Sequence, residues 1–212
     1  MGLLPLKPME AATNLQLQTM RLYRALVESR EDWGGALVLC SGAGCAASGI
    51  PVAASVAGAA TLAIDADSEA MKAALRRGEL DFVVNTLDEA LRTLKNQIRL
   101  KRPLSVGLIA DVEATLAELT SRGVQPDVML DPASAPVSRE DELFFATHDA
   151  SEMQRLDAAL LGVLPAGDVT RLRWIRRLPQ YLREARSGGR WIWLGDNERA
   201  TVAECGFSPE SR

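Results

Sequence analysis

Histidine, cysteine and aromatic residues are scarce in this chain, and positive charge does not exceed negative. One histidine and three cysteines among 212 residues leave no ligand set at metal-binding spacing, which for zinc requires three or four such residues brought together. Cys40, Cys45 and Cys205 are odd in number and follow no secretory leader pattern, so the sequence argues against a disulfide framework and predicts a reducing, cytoplasmic compartment. No apolar run approaches the roughly 20 residues that cross a bilayer, and a soluble protein is expected. The formal net charge of -4 removes any bulk electrostatic attraction to nucleic acid.

What is present is an ordinary globular balance, 47% hydrophobic and 25% charged, in a chain long enough for one α/β domain. Leu15, Leu22 and Leu26 give residues 14–30 helical spacing, and Trp33, Gly34 and Gly35 then break the pattern. Short apolar runs of strand length follow, "ALVLC", "TLAID", "DFVVN", "LSVGLIA" and "DVML", separated by helical patterns over 69–77, 87–99 and 112–122. The first of these helices should bury Ala70, Met71, Ala74 and Leu75. Continuous apolar strands alternating with helices predict a parallel sheet covered on both faces, a three-layer α/β/α arrangement of Rossmann-like type. "DPASAPVSREDE", residues 131–142, has two prolines and no apolar period and is expected to be a loop. Helices near 150–163 and 170–186, a strand at "GGRWIWLG" and a last helix complete the pattern. The chain thus divides into a helical lead-in (1–33), a Rossmann-like domain (34–206) and a short tail expected to fray (207–212).

The stretch that carries chemistry is "SGAGCAASG". Gly42, Gly44 and Ala47 form G-x-G-x-x-A directly after a predicted strand and before a predicted helix. In that setting the first glycine permits the turn, the second admits a pyrophosphate near the backbone, and the small third residue lets helix and strand approach. Asp65 ends the second strand, about twenty residues on, where a carboxylate accepts hydrogen bonds from an adenine ribose and favours NAD over NADP. Small residues where a helix starts close to a strand, and an acid ending a strand, are also what packing alone requires, so the pattern leaves both readings open.

The sequence resembles the central NAD-binding domain of the urocanase (urocanate hydratase) family. The likeness rests on "SGAGCAASGIPVAASVAGAATLAIDAD", on "LDFVVNTLDEAL" and above all on "RPLSVGLIADVEATLAELTSRGVQPDVMLDPASA", with a weaker return at "LPQYLREARSGGRWIWLG". In that family a tightly bound NAD acts as an electrophile that adds to the substrate imidazole and opens it to attack by water. The family's reactive-site groups come from a core domain that has no counterpart in this sequence, so the resemblance implies a stand-alone domain that does not hydrate urocanate by itself. Were the chain an enzyme, it would be a urocanate hydratase-like lyase completed by a second chain. The cofactor site carried over comprises Gly42, Ala43, Gly44, Cys45, Ala46, Ala47, Asp65, Asp111 and Ser134. Several positions depart from the family pattern. A glycine, methionine, glycine run becomes Cys45, Ala46 and Ala47; a glutamate becomes Asp65; an arginine becomes Ala70; and Gly-Asn-Ala becomes Ala110, Asp111 and Val112. "DPASAPV" keeps Asp131, Ser134 and Ala135 but loses the polar groups expected at the nicotinamide. Two functions follow: binding of NAD or another nucleotide, or a cofactor-free domain acting as a scaffold, expected as a homodimer.

Three further features are weaker. His148 lies in "ATHDASE" with no nucleophile elbow to place Ser41 or Ser134 against it, and a loop or cap role is expected. Cys45 sits where a helix N-terminus can activate a thiol, although small-residue packing is the simpler reading. Residues 171–190 carry seven arginines and one glutamate around an apolar stripe, a pattern open to anion or nucleic-acid binding, to a dimer contact, or to a solvated helix face. The acidic balance of the whole favours the last.

Overall fold

A computed structural model describes residues 8–133 and 138–210, with side chains described from residue 15. After helix α1 (Pro8–Ser29) the chain alternates β1 (Leu37–Ser41), α2 (Ile50–Ala57), β2 (Ala60–Asp65), α3 (Ser68–Arg77), β3 (Phe82–Val84), α4 (Leu87–Arg99), β4 (Leu104–Ile109), α5 (Val112–Ser121) and β5 (Val128–Leu130). The five strands pair in parallel in the order β3-β4-β2-β1-β5. This is the three-layer α/β/α, Rossmann-like architecture that the sequence pattern predicts.

Burial explains why the central strands are uninterrupted apolar runs. All six residues of β2 are buried, because side chains that alternate across a covered sheet meet a core on either face. Val38, Cys40 and Ala63 face α2 and α3, while Leu37, Leu39, Leu62 and Ile64 join Leu94 of α4 and Leu119 of α5. Helix starts carry their own caps. Asp67 accepts from Glu69 N and Ala70 N at 2.9 and 3.0 Å, Thr86 from Glu89 N at 3.3 Å, and Asp111 from Ala114 N at 2.8 Å. Each such cap contributes about 1 kcal/mol. Met71 and Ala74 are buried as predicted, but Ala70 is half-buried and Leu75 exposed, since α3 packs through a narrower stripe than its composition suggests.

The remaining elements add a second lobe on the α2 face. They are β6 (Glu142–Phe145), α6 (Ala150–Val163), α7 (Val169–Tyr181), β7 (Arg190–Trp193) and α8 (Asp196–Glu204). The described residues of the loop expected over 131–142 run irregularly to Asp141, and a strand absent from the sequence reading, β6, follows from Glu142, too short for its alternation to register. The "RWIW" strand pairs antiparallel with β6, Leu143 opposite Ile192 and Phe144 opposite Trp191, and does not join the parallel sheet. The far side of β7 is closed by Gln16 of α1, which donates to Gly189 O at 3.3 Å and accepts from Trp191 N at 2.6 Å. Nor does the tail fray through residue 210: Phe207 is buried and Glu210 N donates to Phe144 O at 2.8 Å.

α1 and α7 hold the lobe to the sheet. Tyr23 stacks on Trp174 at 5.4 Å between ring centres and donates to Thr170 O at 2.8 Å. Arg21 pairs with Glu142 at 2.7 Å and Arg24 with Asp141 at 2.8 Å. The arginines of 171–190, read from sequence as a solvated face, are largely engaged with protein. Arg173 donates to Ala57 O, Arg183 to Arg76 O and Arg186 to Pro179 O, while Arg171 pairs with Asp168 and Glu198 and Arg190 with Asp157. Two of those carbonyls are at the C-terminal ends of α2 and α3, where a helix dipole favours a cation. Among the described residues no helix is long and apolar enough to cross a membrane.

The Arg24 guanidinium holds the Asp141 carboxyl below its ordinary range. A depressed folded pKa contributes stability above the unfolded value, about pH 4, and loses it as pH falls through the folded value. Urea midpoints should therefore show Arg24→Met less stable than the parent at pH 7, with the gap narrowing by pH 2 to 3.

Candidate functional site

The C-terminal ends of the parallel strands form one edge, and most residues singled out in the sequence are located there. Beyond Ser41 the backbone turns through Gly42 (φ +104°) and Gly44 (φ +81°), conformations that favour glycine. A Cβ built on either would meet nothing within 4 Å, so these glycines serve the turn and leave open space over it. Gly42 N donates to Ile64 O at 3.0 Å and Gly44 N to Asp65 Oδ2 at 2.9 Å. The other Asp65 oxygen accepts from Asp67 N at 2.9 Å, and the residue is only 4% exposed. The carboxylate at the end of β2 thus holds the glycine turn and the entry to α3 together.

The sequence pattern suggests a helix directly after the glycines. Instead Cys45–Ala47 form one turn of 3-10 helix, and α2 begins only at Ile50. Cys45 and Ala46 are buried, while Ala43, Gly44 and Ala47 are exposed. The Cys45 thiol lies against Cys40 O and Ile64 O at 3.5 and 3.6 Å, and its contact, with burial, pushes the Cys40 thiol up. A thiol with no exposed surface and two carbonyl partners is packing, which settles the choice left open at Cys45. Ser48 donates to Cys45 O at 2.7 Å and accepts from Ile50 N at 3.2 Å. Gly49 (φ +78°) then passes under α1 so closely that a Cβ would lie 2.5 Å from Thr19 Oγ1. Every residue of α2 is buried, and the helix end that a phosphate would approach lies beneath α1. No local signal marks Thr19 for this position, because the contact joins elements thirty residues apart.

Asp111 caps α5 through Ala114 N, and Asp131 accepts from Ala133 N at 2.8 Å. Ser134 lies outside the described residues. Asp65, Asp67, Asp111 and Asp131 are thus all bonded to backbone N–H groups, and from Ser41 to Met71 the chain has no lysine or arginine. His148, just before α6, is exposed, and its backbone N–H donates to Glu152 at 2.7 Å. Among the described residues no group of histidine, cysteine, aspartate and glutamate has the geometry to hold a metal.

Of the backbone N–H groups in the turn, those of Gly42, Gly44, Cys45 and Ala47 all donate within the protein. Against known families, residues 17–142 match the Urocanase Rossmann-like domain, a span running from within α1 to the first residue of β6.

Two substitutions read the edge. Asp65→Asn would leave one backbone N–H facing an amide donor, and urea denaturation should show a loss of about 2 kcal/mol. Gly49→Ala should cost about 3 kcal/mol from collision and positive φ together, and adding Thr19→Ala should return only part of that.

Proposed function

The chain belongs to the urocanase Rossmann-like domain family, and we propose that it works without the family's cofactor, as an interaction domain that does not hydrate urocanate on its own. One observation carries the reading: the Gly44 N–H is bonded to the buried Asp65 carboxylate, so the donor for a phosphate and the acceptor for a ribose are satisfied by each other. A phosphate taking the Gly44 N–H must break a charge-assisted bond worth about 1.5–3 kcal/mol, and a ribose must reach a carboxylate that is only 4% exposed. A pyrophosphate would also enter beside carboxylates on a stretch with no basic residue, where like charges repel. Both edges of the parallel sheet offer apolar surface for a partner chain, Phe82 on β3 at 52% exposure and Met129 on β5 at 56%. A second copy of the chain is the partner this reading expects first.

The competing reading is nucleotide binding. It is favoured by the positive φ angles and open space at Gly42 and Gly44. NAD would then be held by the 42–47 turn and Asp65, with Asp111 towards the far half. The group would supply an electrophilic ring, and this chain's part would be to bind and orient it.

Heat unfolding with and without NAD separates the two. A site with a dissociation constant near 10 μM would gain about 2.7 kcal/mol at a hundredfold excess, raising Tm by roughly 5–10 °C in a chain of this size. We expect a shift below about 1 °C and no nicotinamide nucleotide released on denaturing the purified protein. A shift of several degrees, or stoichiometric release, overturns the cofactor-free reading in favour of nucleotide binding.

A further inference from the structure

At the opposite, N-terminal edge of the parallel sheet, α4 and the segment between α5 and β5 flank the start of β1 and leave a groove of about 530 Å³. That volume is within the range of small-molecule sites. Its floor and walls are apolar: Leu37, Leu91, Leu94, Ile98 and Val124. Leu37 and Leu94 are buried at the base, and Leu91, Ile98 and Val124 are half-buried along the sides.

The charges at the rim are unequal in what they have left to offer. The Asp127 carboxylate accepts from Leu37 N at 2.8 Å and pairs with Arg30 at 2.9 Å. Arg122 is shared between Asp88 and Glu118. Arg92 and Lys95, exposed and nearly one turn apart on α4, have no bonding partner among the described residues. The rim therefore presents two unneutralised cations over an apolar trough, while its one acid is already satisfied.

From this arrangement we infer that the groove binds a small amphipathic anion, an apolar chain or ring ending in a single carboxylate. The body covers the leucine and isoleucine surface, and the head lies between Arg92 and Lys95. Apolar burial supplies the affinity and the two cations fix the orientation and the sign of the head. The site is independent of the glycine turn, which lies at the other end of the strands.

Decanoate is a suitable probe, titrated into the full chain and followed by methyl NMR. The expected result is saturable shifts at Leu37, Leu91, Leu94, Ile98 and Val124, with half-saturation below ~1 mM. Arg92→Glu with Lys95→Glu changes only exposed positions and should weaken binding about tenfold or more. Decyltrimethylammonium, with the same chain and the opposite head, should prefer that variant to the parent. If the reversal unfolds the chain, Arg92→Gln with Lys95→Gln reads the same loss. Shifts scattered outside the groove, equal binding of the two heads by the parent, or no saturation would overturn the proposal. So would a dimer, read by sedimentation, that the Arg92→Glu, Lys95→Glu reversal abolishes, because that would place a second copy in the groove.

Discussion

The docking of α1 across α2 is the contact on which the rest of the molecule depends. α2 is buried around its whole circumference and apolar except for Ser55, and a helix of that kind has no face to give to water. With the sheet beneath it, its outer side must be covered, and α1 and α7 do this. Close approach is possible because the upper surface is made of small residues and because Gly49 offers no Cβ to Thr19. From that seat α1 reaches the second lobe by three different interactions: the amide of Gln16 on β7, the Tyr23 ring on Trp174, and the guanidinium groups of Arg21 and Arg24 on Glu142 and Asp141. One helix therefore roofs the start of α2 and fixes the β6–β7 pair.

Charge is arranged on a consistent plan around this frame. Aspartates stand at helix N-termini and accept backbone N–H groups, as Asp67, Asp111, Asp149 and Asp168 do. Arginines from α7 and the turn after it reach the C-terminal carbonyls of α2 and α3. Both placements complement the helix dipole. The pair of buried Arg190 with half-buried Asp157 is different in kind. Burial raises the Asp157 carboxyl although Arg190 opposes the shift, so the pair is weak support for stability. An arginine-rich segment in an acidic protein can thus be internal mortar between layers, which its composition does not disclose.

The sequence makes the alternating part of the fold legible because each signal is local. A strand covered on both faces is a continuous apolar run, and a capped helix announces itself within four residues. β1 to β5 and α2 to α5 all fall within reach of such signals. The β6–β7 pair does not, since β6 has four residues and its partner lies some forty-five positions away. The same limit applies at the glycine turn. The sequence places Gly42, Gly44 and Asp65 together, and the structure does so too. Yet a carboxylate at the end of a strand looks identical in sequence whether it awaits a ribose hydroxyl or already holds a backbone N–H.

That ambiguity bears on how the departures from the urocanase pattern are read. Taken singly, Cys45 and Ala46 in place of smaller or more flexible residues, or Asp111 in place of a neutral one, look like losses of cofactor contact. In the structure each has an internal partner. The Cys45 thiol meets two carbonyls, Ala46 is packed in the core, Asp111 caps α5, and Asp65 closes on Gly44. At the glycine turn the Gly42, Gly44, Cys45 and Ala47 N–H groups are all bonded within the chain. Substitutions at separate points along the chain therefore share one structural feature: each residue now standing at the edge has a partner within the chain.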